Sequence, residues 1–582
     1  MVDLKGRPFY LKEKDVQWVQ DTLAAMTLEE KVGQIFCPIG TNGEEGYLRH
    51  LLADLKVGAM MFRMAPKDEL YAINKRIQEI AKIPLLLAAN LESGGNGAVV
   101  EGTTFGKPMA VAATGNAENA YRMGKVACRE GAAVGVNWAF APIVDIDQEF
   151  HSPITNVRTF GSDQETIIKC ALGYMKAADE EMVAVSIKHF PGDGTDERDQ
   201  HLLTSVNCLP ADEWRDTYGN IYQTLIDHGA KTVMVGHIAQ PALVKELNPD
   251  ASKSETLLPA TLSKELMTGV LRDELKFNGL VVTDSTQMVG FSCAMPRKQA
   301  IPTALANGCD MILFNRDLEE DYQYVLWGLQ EGILTEARLD EAVTRILATK
   351  ASLSLHEKKA ADTLVPEPSA KDIIGCEEFR KWAEQCADES VTLVRDTQNL
   401  LPLSPQKTKR VYLNVIQHDL SPSHEVVQEM RRLFENEGFE VTVRNRETRI
   451  GVENIIGLNL TPEKEIMVKE IVRGVEAFKE SYDLYVYIAN VETASNNTVI
   501  RLNWNVLFGL GDDAPWFTAE IPTLFISTQN PYHLFDAPMM KTYINTYDNN
   551  EFSRTALMDK LMGRSPFKGQ SPVDPYCGNP YI

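Results

Sequence analysis

Short runs of apolar, often β-branched residues recur through the first 355 residues, and their spacing restricts the fold more than any other feature of the chain. They are VGAMMF (57–62), IPLLLAA (83–89), VNWAFAPIVDI (136–146), MVAVSIKHF (182–190), KTVMVGHI (231–238), GLVVTDS (279–285) and DMILF (310–314). Several lack the polar alternation of a half-exposed strand, so the sheet they build must be covered on both faces. Patterns of helical period separate them, which makes the repeating unit a strand followed by a helix and the sheet parallel. A doubly wound open sheet and a closed barrel both satisfy this pattern. The expected fold is α/β, a TIM-type (β/α)8-like barrel followed by a smaller α/β sandwich.

In a barrel of this kind the chemistry sits where the strands end, so the residue following each run is the one to inspect. That survey returns Asn90 and Glu92, Asp145, Lys188 and His189, His237, Asp284, and Asn315 with Arg316. The rhythm breaks at HEKKAADTLVPEPSAKDIIGC (356–376), where charge and two prolines mark a connection. The expected division is a barrel over 1–355, a linker over 356–385 and an α/β sandwich over 386–582. Strand runs at 411–416, 439–444, 482–491 and 521–527, with helical patterns at 424–437 and 462–480, support the last of these.

Composition narrows the function classes. A chain of 582 residues, 44% hydrophobic and 24% charged, has ample apolar surface for a core. Its formal charge of -23 and the lack of any basic stripe argue against a nucleic-acid partner. No run is long and apolar enough for a membrane helix, and the N-terminal residues show no export signal, so a cytoplasmic protein is expected. The nine cysteines are scattered and without paired spacing, which fits reduced thiols and gives no zinc site. Neither a metal nor a cofactor is expected. Self-association into a homodimer is one role open to the second domain.

The densest polar segment is KHFPGDGTDERDQH (188–201). Pro191, Gly192 and Gly194 stop the strand before it, so Asp199 and His201 fall on a loop able to reach over a pocket. An imidazole two residues after a carboxylate is a natural proton donor near neutral pH. GDGTDE within this loop has the wrong ligand order and spacing for a calcium site.

This segment, with MTLEEKVGQ (26–34), FAPIVDI (140–146), NVRTFG (156–161), VMVGHI (233–238) and VVTDS (281–285), resembles glycoside hydrolase family 3 and within it the β-N-acetylglucosaminidase branch, whose loop reads K-H-F-P-G-H-G-x-x-x-x-D-x-H. SVTLVRDTQNLLPL (390–403) and LMGRSPFKGQSPV (561–573) resemble the start and end of the α/β sandwich that many members carry. The resemblance implies a retaining mechanism with Asp284 as nucleophile and His201, held by Asp199, as acid/base. Read from its position alone, Asp284 could instead cap the helix that follows. The resemblance also implies sugar-binding roles for Arg158, Lys188 and His189, with His237 in or behind the pocket.

Three departures stand out. The branch's Asp-Gln-Glu-Gly-Gly segment appears as Asn90-Leu91-Glu92-Ser93-Gly94-Gly95, so the acid that grips sugar hydroxyls is either replaced by Asn90 or displaced to Glu92. Asp193 stands where the second His of the loop usually lies, with Lys188, His189 and Arg198 as candidate partners. Gln200 replaces a small Ser, which reads as a neutral change. The activity implied is a retaining exo-β-N-acetylhexosaminidase that removes terminal N-acetylglucosamine from peptidoglycan- or chitin-derived fragments. The rivals are a phosphorylase or a β-glucosidase of the same family and, in another class, an inactive sugar-binding protein.

Overall fold

The structure, a computed structural model, describes residues 2–447, 461–462, 473–505 and 511–581. It divides into two compact units, one of Met1–Pro108 with Asn116–Ala383, the other of Met109–Gly115 with Glu384–Ile582. Residues 356–385, expected as a linker, carry helical pieces at Leu355–Ala360, Pro368–Ile373 and the start of Glu377–Ser390. They group with the first unit as far as Ala383.

The first unit is built on eight strands: β1 (Phe36–Cys37), β2 (Ala59–Met61), β3 (Leu86–Ala89), β4 (Trp138–Ala139), β5 (Ala184–Phe190), β6 (Thr232–Val235), β7 (Leu280–Ser285) and β8 (Met311–Leu313). Their order is β1-β8-β7-β6-β5-β4-β3-β2, and every ladder is parallel. The two ends of that order meet. Ile39 bridges Met61 in parallel, and hydrogen bonds Met61 N to Pro38 O (3.1 Å) and Gly40 N to Met61 O (2.8 Å) continue the ladder from β1 to β2. The barrel therefore closes. β1 escaped the reading of apolar runs because two residues carry no period.

Helices Lys67–Ile80, Glu118–Ala133, Gln164–Glu180, Asn220–Asp227 and Arg297–Asn307 fill the crossovers. Their starts follow local chemistry: Asp163 accepts from Thr166 N, and Thr27 with Glu30 forms a reciprocal capping box ahead of Leu28–Gln34. The strands are buried throughout most of their length, β5 at all its positions. Burial of each Val, Ile or Leu contributes roughly 1.5–3 kcal/mol. Two of the apolar runs are interrupted. KTVMVGHI ends as a strand at Val235, and Ile238–Ala239 turns off to pair with Ser205–Val206. VNWAFAPIVDI keeps only Trp138–Ala139 in a ladder, with Ile143 bridging Lys188 further on.

At the opposite, N-terminal end of the strands, Asp310 accepts from Arg272 (2.6 Å), Arg338 (2.7 Å), Arg345 (3.3 Å) and Val281 N (2.9 Å). Burial alone would push this carboxyl up, but the three guanidinium groups outweigh it and hold Asp310 below the usual range. That face of a barrel serves stability rather than chemistry.

The second unit is a six-stranded sheet of β9 (Thr392–Asp396), β10 (Arg410–Ile416), β11 (Glu440–Val443), β12 (Leu484–Ala489), β13 (Thr523–Ser527) and β14 (Thr542–Asn545), in the order β9-β14-β13-β12-β10-β11. Only β9 runs antiparallel, against β14. Helix Glu425–Asn436 matches the pattern read over 424–437. Of the pattern over 462–480, a helix is present at Val475–Ser481, while 463–472 lie outside the described residues. Tyr485, Tyr487, Phe517, Phe525 and Tyr543 stack through its core.

Candidate active site

The strand ends of the barrel bring together a cationic cluster, a carboxylate and a histidine dyad. Glu92, just past β3, accepts from Arg158 Nε (3.2 Å) and Nη2 (3.1 Å) and from Lys188 Nζ (2.6 Å). Burial would push Glu92 up, yet Arg158 and Lys188 hold it well below the usual carboxylate range. The guanidinium of Arg158 is fixed further by Ile154 O at 2.9 Å. Two cations around one anion leave donors directed at whatever occupies the site. Asn90, by contrast, is exposed at the end of β3, so of the two alternatives for the acid it is Glu92 that meets the cationic side chains.

Lys188 and His189 are consecutive on β5, and both are buried. Asp145 organises the next layer: its Oδ1 accepts from His189 N (3.0 Å) and Asp193 N (2.9 Å), and its Oδ2 from His189 Nδ1 (2.7 Å). With Nδ1 committed, His189 presents Nε2 toward Asp284 Oδ2, 3.9 Å away. Asp284 ends β7, where Ser285 N donates to its Oδ1 at 2.7 Å. Burial favours its neutral form, but His189, His237 and His201 outweigh that and hold it below the usual range. Asp284 starts no helix, since the next one begins at Val289 after Met288, which removes the capping alternative.

His237 is fully buried behind the site. Its Nε2 donates to Ser285 O at 2.9 Å and its Nδ1 faces Thr261 Oγ1 at 3.1 Å. Burial pushes it below the usual imidazole range, while Asp284 and the carbonyl of Ser285 work in the opposite direction.

On the loop, Asp199 Oδ1 accepts from both His201 N (2.8 Å) and His201 Nδ1 (2.7 Å). Asp199 is buried while the imidazole is partly open, so the carboxylate backs the ring and Nε2 is left for a ligand. The far side of the dyad is pinned to the segment after β7, through Val289 N to His201 O (3.0 Å) and Gly290 N to Gln200 O (3.2 Å).

Asp193 pairs with none of its expected cations. Lys188 goes to Glu92, His189 to Asp145 and Arg198 to Asp196. Instead Asp193 accepts from Gln200 Nε2 (3.2 Å) and Gly194 N (2.9 Å), with Ser205 Oγ at 3.4 Å. Burial and the neighbouring Asp145 push it up, to about 8. Gln200, expected as a neutral change, is engaged on both sides: its Nε2 donates to Asp193 and its Oε1 accepts from His237 N. No spacing in the sequence signals these contacts; they arise where the loop folds back on itself.

A closed parallel barrel with carboxylates, a lysine and histidines gathered at its strand ends has the layout of a barrel enzyme's active site. The family model described as "Glycosyl hydrolase family 3 N terminal domain" matches residues 27–349. The chain belongs to that family and is a glycoside hydrolase acting on β-glycosides. It is 41% identical, over 99% of both chains, to the "Beta-N-acetylglucosaminidase/beta-glucosidase" of Cellulomonas fimi. Among solved structures it is similar to "Beta-glucoside phosphorylase BglX bound to 2FGlc", with 44% identity, 99% of each chain covered and a TM-score of 0.90. A β-N-acetylglucosaminidase of the family from Paenibacillus sp. str. FPU-7 shares the fold at 24% identity, with a TM-score of 0.75 over 95% of this chain and 99% of that one. Among the described residues no helix is long and apolar enough to cross a membrane.

Proposed function

We propose that the chain is a retaining exo-β-glycosidase that removes a single terminal β-linked N-acetylglucosamine or glucose residue, with Asp284 as nucleophile and His201 as acid/base. Asp284, kept ionised by its surroundings, attacks the anomeric carbon. His201 delivers a proton from Nε2 to the departing oxygen, and the buried Asp199 stabilises the imidazolium and fixes its tautomer. The glycosyl-enzyme ester is then broken by an acceptor that His201 deprotonates. Lys188, Arg158 and Glu92 hold hydroxyls of the sugar, with Asn90 at the rim. The Asp199–His201 pair is the observation that carries this reading. The dual name of the Cellulomonas fimi relative supports both sugars. The nine free cysteines suit a cytoplasmic setting.

A second reading concerns the acceptor. An acid/base built on imidazole, with its carboxylate buried behind it, puts no negative charge on the face that the acceptor approaches, so phosphate can attack as well as water. The phosphorylase name of the 44% identical structure supports it. One panel tests both readings: aryl β-glycosides of N-acetylglucosamine, N-acetylgalactosamine, glucose and xylose, each with and without phosphate, with sugar and sugar 1-phosphate resolved in the products. Turnover of the first and third with a covalent 2-fluoro adduct on Asp284 is expected. No adduct, or one on another residue, overturns the nucleophile, and phosphate-independent rates overturn the second reading.

A further inference from the structure

We propose that Asp193 and Gln200 act as one clasp that positions the acid/base histidine, each supplying half of the contact between them. The inference rests on the assignment of His201 as acid/base. Both positions depart from the K-H-F-P-G-H-G-x-x-x-x-D-x-H pattern, which has His at the first and commonly Ser at the second, and in the structure the two replacements touch.

Gln200 lies between Asp199 and His201 in sequence, so whatever holds its side chain holds the dyad. Its Nε2 donates to Asp193 Oδ2 at 3.2 Å, and its Oε1 accepts from His237 N at 2.7 Å. Both amide groups are used, and the residue is 1% exposed. The side chain reaches His237 across Gly236, where a Cβ would stand 3.0 Å from Gln200 Oε1 and 3.1 Å from His189 Cβ. A serine at 200 is too short to span this gap. The loop carrying His201 is thereby tied at one end to the C-terminus of β6 and at the other to the turn after β5.

Asp193 is anchored in turn. Its N donates to Asp145 at 2.9 Å and its carbonyl accepts from Tyr218 Oη at 2.6 Å. The titratable groups around its carboxyl are Asp145 beneath it, Asp199 on the loop, Tyr218 and Tyr222 on the adjacent helical segment and His237 beyond Gln200; none of them is a fixed cation. Burial and Asp145 therefore favour the neutral acid, against the hydrogen bonds that Gly194 N (2.9 Å) and Ser205 Oγ (3.4 Å) donate to its Oδ1. A neutral Asp193 also keeps a second negative charge away from Asp199. Because the pKa in the folded protein is raised above that in the unfolded chain, the contribution is complete below the ordinary carboxylate range and is lost as pH rises through the raised value. Asp193 and Gln200 touch no substrate, so their part is to position His201.

The test is a double-mutant cycle on the full chain, with Asp193→His, Gln200→Ser and both together, alongside Asp193→Ala and Asp193→Asn. Each variant is assayed on aryl β-glycosides with good and poor leaving groups, for covalent labelling by a 2-fluoro donor that needs no acid, and for thermal stability. Misplacing a catalytic group slightly costs about a hundredfold. Asp193→Ala and each single exchange should lose about that much on poor leaving groups and little in labelling rate, and the double exchange should recover most of it. Asp193→Asn, which keeps the shape but cannot ionise, should recover activity lost in Asp193→Ala and move the alkaline limb of kcat/KM upward. Additive effects in the cycle, or equal losses on both leaving-group classes, overturn the clasp. His201→Ala measured beside them separates the two ideas: if its losses do not depend on the leaving group, the acid assignment itself falls, whereas leaving-group dependence in His201→Ala alone removes only the clasp.

Discussion

At the scale of single residues, the site is set by how charges are compensated. Glu92 balances a buried and a half-buried cation, so Glu92→Gln leaves Lys188 and Arg158 facing each other across an amide. Removing one member of such a cluster costs on the order of 3 kcal/mol. The variant should melt several degrees lower at pH 7 and show a raised KM for neutral glycosides. The folded pKa of Glu92 is depressed, so its stabilising effect is present above the ordinary carboxylate range and lost as pH falls through the lowered value. The gap in melting temperature between variant and parent should therefore close in strong acid; a gap independent of pH would contradict this account. Individual residues were also where the sequence spoke most unevenly. Asp284, Lys188 and His189 could be singled out because each follows an apolar run. Asp145 stood among the strand ends too, but its three bonds depend on the turn after β5 folding back, which no periodicity reports. Asp193 and Gln200 were legible only as departures, and their contact only in three dimensions.

At the scale of elements, the loop between β5 and the Ser205–Val206 pair is a shaped object rather than a flexible tether. Gly194 has φ +104, and a Cβ there would lie 1.9 Å from Ile146 O. Its carbonyl also accepts from Gln148 N (3.1 Å) and Glu149 N (2.8 Å). Gly194→Ala must break that attachment, since both the backbone conformation and the close approach exclude a side chain. Its kcat should fall about tenfold or more on poor leaving groups, and the strain should lower the melting temperature as well. Turnover of aryl β-glycosides with poor and good leaving groups, together with calorimetry, would check it, and an unchanged kcat on the poor ones would refute it. The glycines themselves were visible as strand-stopping punctuation. The strands they follow were visible as apolar runs, apart from β1, which is too short to register, and the split of KTVMVGHI, which depends on pairing with a distant segment.

At the scale of the whole molecule, a formal charge of -23 surrounds a site whose polar lining includes Lys188 and Arg158. A neutral aryl glycoside feels little of that field, whereas a phosphate dianion is repelled until it reaches the pocket. Screening shortens the repulsion, with a Debye length of about 10 Å at 0.1 M salt. Hence kcat/KM for a neutral glycoside should be flat with added NaCl, while the apparent affinity for phosphate as acceptor should improve from low to moderate ionic strength. Weaker phosphate use as salt rises from its lowest value would show that the local lining, not the global charge, dominates.

Asp145 holds His189 through two bonds and the start of the acid-bearing loop through a third, all on one buried carboxylate. One carboxylate thus mounts both His189, which faces Asp284, and the start of the loop that carries His201. For a lineage diverging from this chain, a substitution that shifts Asp145 should move His189 and the His201 loop together. New specificities should accordingly arise first at Asn90 and the exposed rim, where a change transmits nothing, and only late, with paired compensations, at the core of the loop.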